Sequence, residues 1–459
     1  MVIVSNLISN AHGCDEERRC FDFFLHRTVS QLPGFWDSEF WSCLILRATH
    51  HQPAIRHAVL ALGSLHERFE AGDRSILSPI WDKGEGGFAL KQYNQAIQHL
   101  IKPVSEGQQA VDTLRAHHGS AVSHIHSGAK ILSEVEINGN GDQAHSLLTM
   151  SRHPLVDFQE LEILFNRLDI QAAQMIGTQS MRLKKRPRDL RKGFGPDIPA
   201  AFTSLEQARN SLDYHWNNCI YFLNEFEKHA WHVKGTGQGP LDTLGPTEAV
   251  RQAYSDAFEQ WHVAFQAFLR DHGNLMDSRG LQAARTLQIS HSIAMVFLNA
   301  STVNAFNDET VWDKFTEHYE NVVGLAALVI KSSNRDKLTK KCGPEFTVDM
   351  NLVGPLYAVA HKCRHPVIRR KAVSLLYAAP RQEGIWDSNL TARAAERLIG
   401  IEEDGLGTVT CCEDVPDWAR ISDVEVKFDV QGRLGTLKYS RQRSPLEKSR
   451  DTVVESVRW

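Results

Sequence analysis

Apolar residues recur at intervals of three and four along most of the chain, a spacing that places them on one face of a helix. In residues 51–70, Pro53 suits a first helical turn, where its missing N–H costs little. The apolar stripe that follows comprises Ile55, Ala58, Val59, Leu62, Leu65 and Phe69. The next stripe comprises Leu90, Tyr93, Ile97, Leu100 and Ile101. Both patterns predict amphipathic helices that bury one face.

An aromatic stripe marks a helix in the second half of the chain. It comprises Tyr254, Phe258, Trp261, Phe265 and Phe268. A stripe at this spacing is typical of a helix core rather than of a cofactor-binding box, so we expect it to be buried. Helical patterns also cover residues 120–132, 158–177, 202–216, 281–301 and 312–333. In one of them Thr203 as N-cap, with Glu206 three residues later, predicts a capping box.

The pattern changes from helical to alternating only near the end of the chain. Val424, Val426 and Phe428 alternate with polar residues, and a turn at residues 429–432 precedes a second short run at 434–439. Period-two alternation on both sides of a glycine-containing turn predicts a β-hairpin. The sequence therefore predicts an all-α fold, a large multi-helix domain with a small C-terminal β-hairpin.

The same sequence patterns divide the chain into six consecutive parts. These are a loose leader (1–20), an N-terminal helical part (21–135), a loop, helix and basic linker (136–200), a C-terminal helical part (201–420), the hairpin (421–443) and a loose tail (444–459). We see no repeat of fixed period.

Composition and charge exclude several classes of protein. The chain has 459 residues, 42% of them hydrophobic, which is enough for a large core. A net charge of −4 gives no global attraction to nucleic acid or to anionic membranes. Its eight cysteines are scattered, which favours a reducing compartment over a disulfide framework. The first residues lack the pattern of a secretory signal, and no apolar run is long enough to span a membrane, so we expect no membrane partner.

One segment carries a candidate metal motif. His361, Cys363 and His365 form an H-x-C-x-H pattern, but a structural zinc site needs about four ligands, and no second pair stands nearby. The alternative is a helix that begins at Pro366 and buries Ile368, Ala372, Leu375 and Leu376. We favour the helix and expect no metal here.

The basic residues of that helix have their own interpretation. Arg369, Arg370 and Lys371 are expected mostly on its outer side, as a solvated face or in ion pairs. The carboxylates of residues 401–405 and of Glu383 are candidate partners.

A second histidine group gives little support to an enzyme. It comprises His117, His118, His124 and His126. These residues do not share one helical face, and no carboxylate lies among them in a known metal motif. The chain also lacks a Walker loop, GxGxxG after a strand, G-x-S-x-G and H-E-x-x-H. We expect no enzyme; the rival hypothesis is a metal-dependent enzyme built on the His117 and His361 groups.

A basic run between residues 182 and 192 has three interpretations. It is a solvated loop, a nuclear localisation signal or a contact to a phosphate backbone, and the last is disfavoured because no aromatic residues are interleaved for stacking. The candidate localisation residues are Arg182, Lys184, Lys185, Arg186, Arg188, Arg191 and Lys192.

Several segments together resemble one family, the fungal transcription factors with a six-cysteine binuclear zinc cluster. Residues 355–388 resemble the C-terminal signature of their helical regulatory domain. The matching family-motif residues include Cys363, Arg364, Pro366, Arg369, Arg370, Glu383, Gly384 and Trp386. Residues 23–67, 89–97, 164–172 and the hairpin are also similar, so the resemblance covers about residues 21–443.

The resemblance implies a regulatory function. A full member acts in the nucleus, binds DNA through its zinc-cluster head and controls a metabolic gene set. For this chain the implied partners are co-regulators or a small effector, with a second copy (a homodimer) as a further candidate. The resemblance implies DNA contact, and zinc as a cofactor, only through such a head.

Two departures from the family pattern leave an alternative open. The stretch before Phe21 holds only Cys14 and Cys20, which cannot form a two-zinc site, so we expect no cofactor in this chain. An apolar helix usual in the family is also missing near residue 115, as a truncated or mis-spliced gene would produce. The alternative is a stand-alone helical interaction protein derived from such a factor that no longer binds DNA itself.

Overall fold

A computed structural model describes most of the chain. The described residues are 14–36, 38–72, 86–101, 161, 163–165, 167–168, 171, 197–236, 245–301, 308–340, 344–384, 386–429, 434–442, 445–446 and 449–458. They form helices with two small three-stranded sheets. The predicted all-α class is confirmed.

The N-terminal helices pack around a small apolar core. Helix α1 (Asp15–Phe23) continues through a π-helical turn (Phe24–Thr28) into Val29–Gln31, and a second π-helical turn (Phe40–Leu44) leads into Ile45–Ala48. Helix α2 (Pro53–Glu70) and helix α3 (Gly86–Ile101) follow. Because α1 already begins at Asp15, the prediction of a loose leader to residue 20 is wrong there. Three acidic residues in its first turn complement the helix dipole.

Gly63 allows α1 and α2 to approach closely. A Cβ atom at this position would lie 2.4 Å from the backbone oxygen of Cys20, on the facing helix. Any larger residue would therefore push the two helices apart. The close crossing places Cys20 and Phe24 in the core between them, both with no exposed surface.

The middle of the chain forms a three-helix layer around the aromatic stripe. It consists of α4 (Leu205–Thr236), α5 (Gly245–His272) and α6 (Ser278–Ala300). All five stripe residues of α5 are buried, and the Trp261 Nε1 donates a hydrogen bond of 2.8 Å to the carbonyl of Ala208 on α4. The stripe is therefore core, as predicted.

The side-chain hydrogen bonds that cap the N-terminus of α4 lie one residue further along than predicted. Ser204 Oγ accepts a hydrogen bond from the N–H of Gln207, and the Gln207 side chain accepts one from the N–H of Thr203. Thr203 and Glu206 are therefore not the capping pair. Serine and glutamine serve equally well in this motif, so the adjacent Thr-Ser left two registers open.

The C-terminal helices form the largest apolar cluster. They are α7 (Thr316–Lys340), α8 (Val353–Lys362), α9 (Pro366–Ala378) and α10 (Ser388–Glu403). Helix α9 begins at Pro366 and buries Ile368, Ala372, Leu375 and Leu376, as its pattern predicted. Strand β1 (Glu345–Thr347) pairs in parallel with β2 (Arg381–Glu383), which pairs antiparallel with β3 (Trp386–Asp387).

The predicted hairpin is present, with a third strand added. Strand β4 (Ser422–Asp429) pairs with β5 (Leu434–Gln442), and β5 pairs with β6 (Arg450–Arg458), all antiparallel. Leu437 and Tyr439 of β5 are buried against α10, with Val424 and Val426 of β4 packed beside them. The prediction of a loose tail over residues 444–459 is therefore wrong: its many charged residues occupy the edge strand of a sheet.

A tight segment, Leu32–Trp36, joins the N-terminal helices to the rest. Arg279 of α6 donates hydrogen bonds to the carbonyls of Gly34, Phe35 and Trp36. The guanidinium of Arg209 lies 4.3 Å above the Trp36 ring. Aromatic and cationic contacts of this kind fix the segment against both α4 and α6.

Several predictions concern residues outside the described ranges. They include the helix at 120–132, the histidines at 117–126, the missing apolar helix near residue 115 and the basic run at 182–192. Among the described helices, none combines the length and apolar character needed to cross a bilayer.

Candidate functional site

The family-motif residues of the sequence meet in the C-terminal helices. Helix α8 ends at Lys362, a short extended link carries Cys363 and Arg364, and α9 begins at Pro366. The extended link turns the chain sharply between two helices. It thereby aims the Arg364 side chain at the last turn of α10, where Glu402 lies.

Glu402 is the centre of a buried ion cluster. Its carboxylate accepts hydrogen bonds from Nη2 of Arg364 and from Nη2 of Arg369, each at 2.7 Å. It also accepts one from the N–H of Ile421, at 3.1 Å. The side chains of all three charged residues have no exposed surface. Charges removed from water in this way are tolerated when they are paired with opposite charges and hydrogen-bonded to them.

The two arginines determine the protonation state of Glu402. Burial by itself raises the pKa of a carboxyl group, but the charges of Arg364 and Arg369 outweigh this and hold the pKa of Glu402 at about 2. Burial likewise opposes the charge of Arg364, yet Glu402 and Glu309 raise its pKa above the ordinary value. Both groups are therefore charged at every physiological pH.

A second layer of charges surrounds the first. Glu309 lies 3.1 Å from Arg364 Nη2 and 3.3 Å from Lys362 Nζ. The Lys362 ammonium also lies 4.5 Å from the centre of the Trp312 ring. This layer ties the short 3₁₀ helix before α7 (Glu309–Phe315) to the end of α8 and the link that follows it.

Arg420 extends the cluster toward the C-terminal sheet. Its guanidinium forms two hydrogen bonds with Asp313, at 2.7 and 2.8 Å, and two with the carbonyls of Val415 and Cys412. The side chain is buried. Bidentate pairing of this kind fixes direction as well as distance, so Arg420 holds the loop before β4 in one position.

Glu383 caps a helix. Its carboxylate accepts hydrogen bonds of 2.8–2.9 Å from the backbone N–H groups of Asn351, Leu352 and Val353, at the N-terminus of α8. Burial raises the pKa of the Glu383 carboxyl, while the neighbouring Arg381 and these amides oppose the rise. A carboxylate supplied from a distant strand thus replaces the usual local N-cap.

Gly384 and Trp386 complete the motif next to this cap. Gly384 has a φ of +54°, and a Cβ atom there would lie 2.0 Å from the Gln171 side chain. Only glycine satisfies both conditions. Trp386 is buried, and its ring centre lies 5.6 Å from that of Tyr357 on α8.

The prediction for the basic triplet of α9 is partly wrong. Arg370 is half-exposed and pairs with Glu403, and Lys371 is exposed, as expected of an outer face. Arg369, however, is completely buried and pairs with Glu402. The suggested partners in residues 401–405 are confirmed. Glu383 instead serves the helix cap.

The candidate metal motif is part of the packed interior, next to the ion cluster of Glu402. His361 and Cys363 are buried. Burial lowers the pKa of His361 and raises that of the Cys363 thiol to about 12, so the histidine is neutral and the cysteine is a thiol. In the described part of the chain, no three His, Cys, Asp or Glu side chains are grouped to hold a metal ion.

The site is a rigid junction between several elements of the fold. Its carboxylates and guanidinium groups face one another rather than an open surface. The cluster joins the 3₁₀ helix before α7, helices α8, α9 and α10, and the loop before β4. Such an arrangement fixes the geometry of a domain and suits positioning better than proton transfer.

A named relative aligns with nearly the whole chain. It is the aspercryptin biosynthesis cluster-specific transcription regulator atnN of Emericella nidulans, which is 22% identical over 526 aligned residues. The alignment covers 93% of this chain and 80% of the relative. The chain is similar to a fungal transcription regulator. This similarity supports a fungal transcription-factor family for the chain. No family model matches the chain, and no solved structure matches it.

Sequence reasoning found the motif but missed half of the cluster. Glu309, Asp313 and Arg420 carry no local signal, because they lie 50 residues or more from the motif arginines in sequence and meet them only after folding. Glu402 was among the candidate partners in residues 401–405, because it belongs to an acidic pair at the end of a helix, where basic residues are preferred.

Proposed function

We propose that this chain is a fungal transcription-factor-like regulatory protein whose helical domain controls transcription of a metabolic gene set. The supporting observation is the alignment of 93% of the chain with a regulator named as specific for a biosynthesis cluster. The motif arginines Arg364 and Arg369 meet in one buried cluster with Glu402, which supports a structural role for that segment within such a domain. The proposed site of action is the nucleus.

The proposed mechanism is linked to binding. A small effector or a co-regulator binds one arrangement of the helices more tightly than another and so shifts their populations. The shift can be no larger than the difference in affinity between the two arrangements. The buried cluster would serve as the fixed frame against which other helices move.

A fusion experiment tests the regulatory role directly. The full chain is joined to a heterologous sequence-specific DNA-binding domain and tested on a reporter gene that carries the matching site. We expect reporter transcription to rise or fall relative to the DNA-binding domain alone. A Glu402→Gln variant should lose the effect, while the adjacent Glu403→Gln variant should keep it. An unchanged reporter, with the fusion present in the nucleus at normal amount, would refute the proposal.

The proposed nuclear localisation can be tested separately. A fluorescent fusion of the chain should accumulate in the nucleus, and replacing Lys184, Lys185 and Arg186 by alanine should release it to the cytoplasm. The matched control replaces Lys91 and Lys371, two exposed lysines elsewhere in the fold. Equal distributions for the two variants would remove the role of the basic run.

Sequencing the transcript tests whether the protein contacts DNA itself or only through partners. Sequencing the full-length transcript shows whether six cysteines are encoded in frame upstream of Met1. If they are, zinc and direct DNA binding become part of the proposal. If they are not, the chain reaches promoters through partners, and chromatin immunoprecipitation should lose its signal when those partners are removed.

A further inference from the structure

Two histidines from neighbouring helices meet at the surface of the N-terminal helical layer. His57 lies in α2, and His99 lies in the last turn of α3, which packs against α2. Both side chains are partly exposed, so the pair is accessible from solvent. Neither residue contacts the Glu402 cluster, and the regulatory function proposed above makes no use of them.

A relay of hydrogen bonds fixes the tautomer of His57. Nε2 of Gln92 donates a hydrogen bond of 3.1 Å to the carboxylate of Glu17, which can only accept. The other end of the same amide, Oε1, is therefore an acceptor, and it lies 2.6 Å from Nδ1 of His57. Gln92 is 2% exposed, so its orientation is set by the packing around it. His57 thus carries its proton on Nδ1 and presents a lone pair on Nε2.

This arrangement is the one in which proteins hold a histidine that binds a metal ion. Such a histidine donates its second ring N–H to a fixed acceptor, which sets both the tautomer and the direction of the ring. Here Gln92 is that acceptor, and Glu17 holds Gln92 in place. A histidine that serves only in packing needs no such second layer.

The distance between the two rings fits a shared ion. The ring centres of His57 and His99 lie 5.3 Å apart. Two imidazole rings that each bind one tetrahedral ion through a nitrogen, at metal–nitrogen distances of about 2.0–2.1 Å, have their centres roughly 5 Å apart. The ring planes are 12° from parallel, so the His99 ring must turn about its Cβ–Cγ bond to aim a nitrogen at the ion. In the described part of the chain no hydrogen bond of the His99 ring opposes that rotation.

We propose that His57 and His99 form a two-histidine site for a divalent transition-metal ion that links α2 to α3. Imidazole nitrogen suits Zn²⁺ and Cu²⁺, whereas Mg²⁺ and Ca²⁺ prefer oxygen ligands. Among the described residues no third His, Cys, Asp or Glu joins the pair, so water completes the coordination of the ion. The site is therefore open and exchanges its ion with solution.

The first test measures the uptake of Zn²⁺ by the full chain in neutral buffer, by competition with a coloured chelator. Imidazole binds a metal only when it is deprotonated, so acid should release the ion. We expect His57→Ala and His99→Ala each to take up one equivalent less than the unchanged protein. Any other histidines that bind Zn²⁺ are the same in all three proteins and cancel in this difference.

His26→Ala is the matched control. The His26 side chain is 59% exposed and faces Asp22 on its own helical segment, so its loss should leave the uptake unchanged. Gln92→Met tests the relay: it keeps both histidines but removes the acceptor of His57 Nδ1, and it should weaken Zn²⁺ binding by about tenfold. Circular dichroism shows whether each variant is folded, and the two alanine variants lie on different helices.

Electron paramagnetic resonance with Cu²⁺ counts the nitrogen ligands directly. With less than one equivalent of Cu²⁺, the spectrum should show two imidazole nitrogens in the unchanged protein and in His26→Ala. The His57→Ala and His99→Ala spectra should each show one fewer. If folded His57→Ala and His99→Ala took up as much Zn²⁺ as the unchanged protein, or if their Cu²⁺ spectra were unaltered, the proposal would be overturned and the pair would be a packing contact only.

Discussion

Replacing Glu402 by glutamine should destabilise the protein more than any other single change of one charge in the C-terminal helices. The substitution keeps the size of the side chain and removes only its negative charge. Arg364 and Arg369, both completely buried, would then share a neutral partner. A buried charge left without compensation is among the most costly defects in a folded protein.

Two independent estimates give the magnitude. With roughly 4 Å between charge centres and an effective dielectric constant near 20, each arginine attracts the carboxylate by about 4 kcal/mol before desolvation is subtracted. Removing one partner of a buried pair costs about 3–5 kcal/mol in measured cases. Separately, a pKa of about 2 for Glu402, against its ordinary 4.5, corresponds to about 3 kcal/mol of stability at neutral pH. The range from measured cases and the figure from the pKa agree, and both are smaller than the summed attraction of the two arginines before desolvation.

Urea unfolding followed by tryptophan fluorescence measures the effect. We expect Glu402→Gln to lower the free energy of unfolding by about 3–5 kcal/mol. The control is Glu403→Gln, because Glu403 pairs with the half-exposed Arg370 and should cost less than about 1 kcal/mol. The pH dependence adds a check: the folded pKa of Glu402 is depressed, so its contribution is present above pH 4.5 and is lost as the pH falls toward 2. Equal losses for the two variants would refute the reasoning.

Two further predictions concern histidines and glycines. Burial lowers the pKa of three histidines to about 4, so the folded state keeps them neutral; they are His66, His215 and His291. The unfolded chain binds protons to these histidines more readily than the folded protein does. The free energy of unfolding should therefore be greatest above pH 6.5 and should fall between pH 6.5 and 4. His215→Phe should reduce that fall, measured as urea midpoints over a pH series. Gly63→Ala should cost about 1–3 kcal/mol, because its Cβ would lie 2.4 Å from the Cys20 carbonyl. Gly324 lies in α7 with open space around it, so Gly324→Ala should raise the thermal midpoint by removing the helix penalty of glycine, about 1 kcal/mol. If Gly63→Ala were stabilising and Gly324→Ala destabilising, the close crossing of α1 and α2 would be contradicted.

The fold was largely predictable because its signals are local. Helical periodicity located the buried stripe of α5 and the inner face of α9, since each depends only on residues three and four apart. Alternation located β4 and β5 for the same reason. The third strand escaped because β6 is rich in polar residues, and an edge strand needs no continuous apolar face.

The sequence by itself determined which faces are apolar, where Pro366 starts a helix and that the motif around Arg364 resembles a regulatory domain. Only the tertiary structure decided that Arg369 points inward while Arg370 points outward, and that Glu402, Glu309 and Arg420 meet the motif. The reason is physical: periodicity reports the average side on which a helix is buried, whereas a buried charge is stable only where a distant partner of opposite sign arrives at hydrogen-bonding distance. Whether such a partner is within reach depends on how these separate elements pack together in the folded protein. No local sequence pattern encodes that packing.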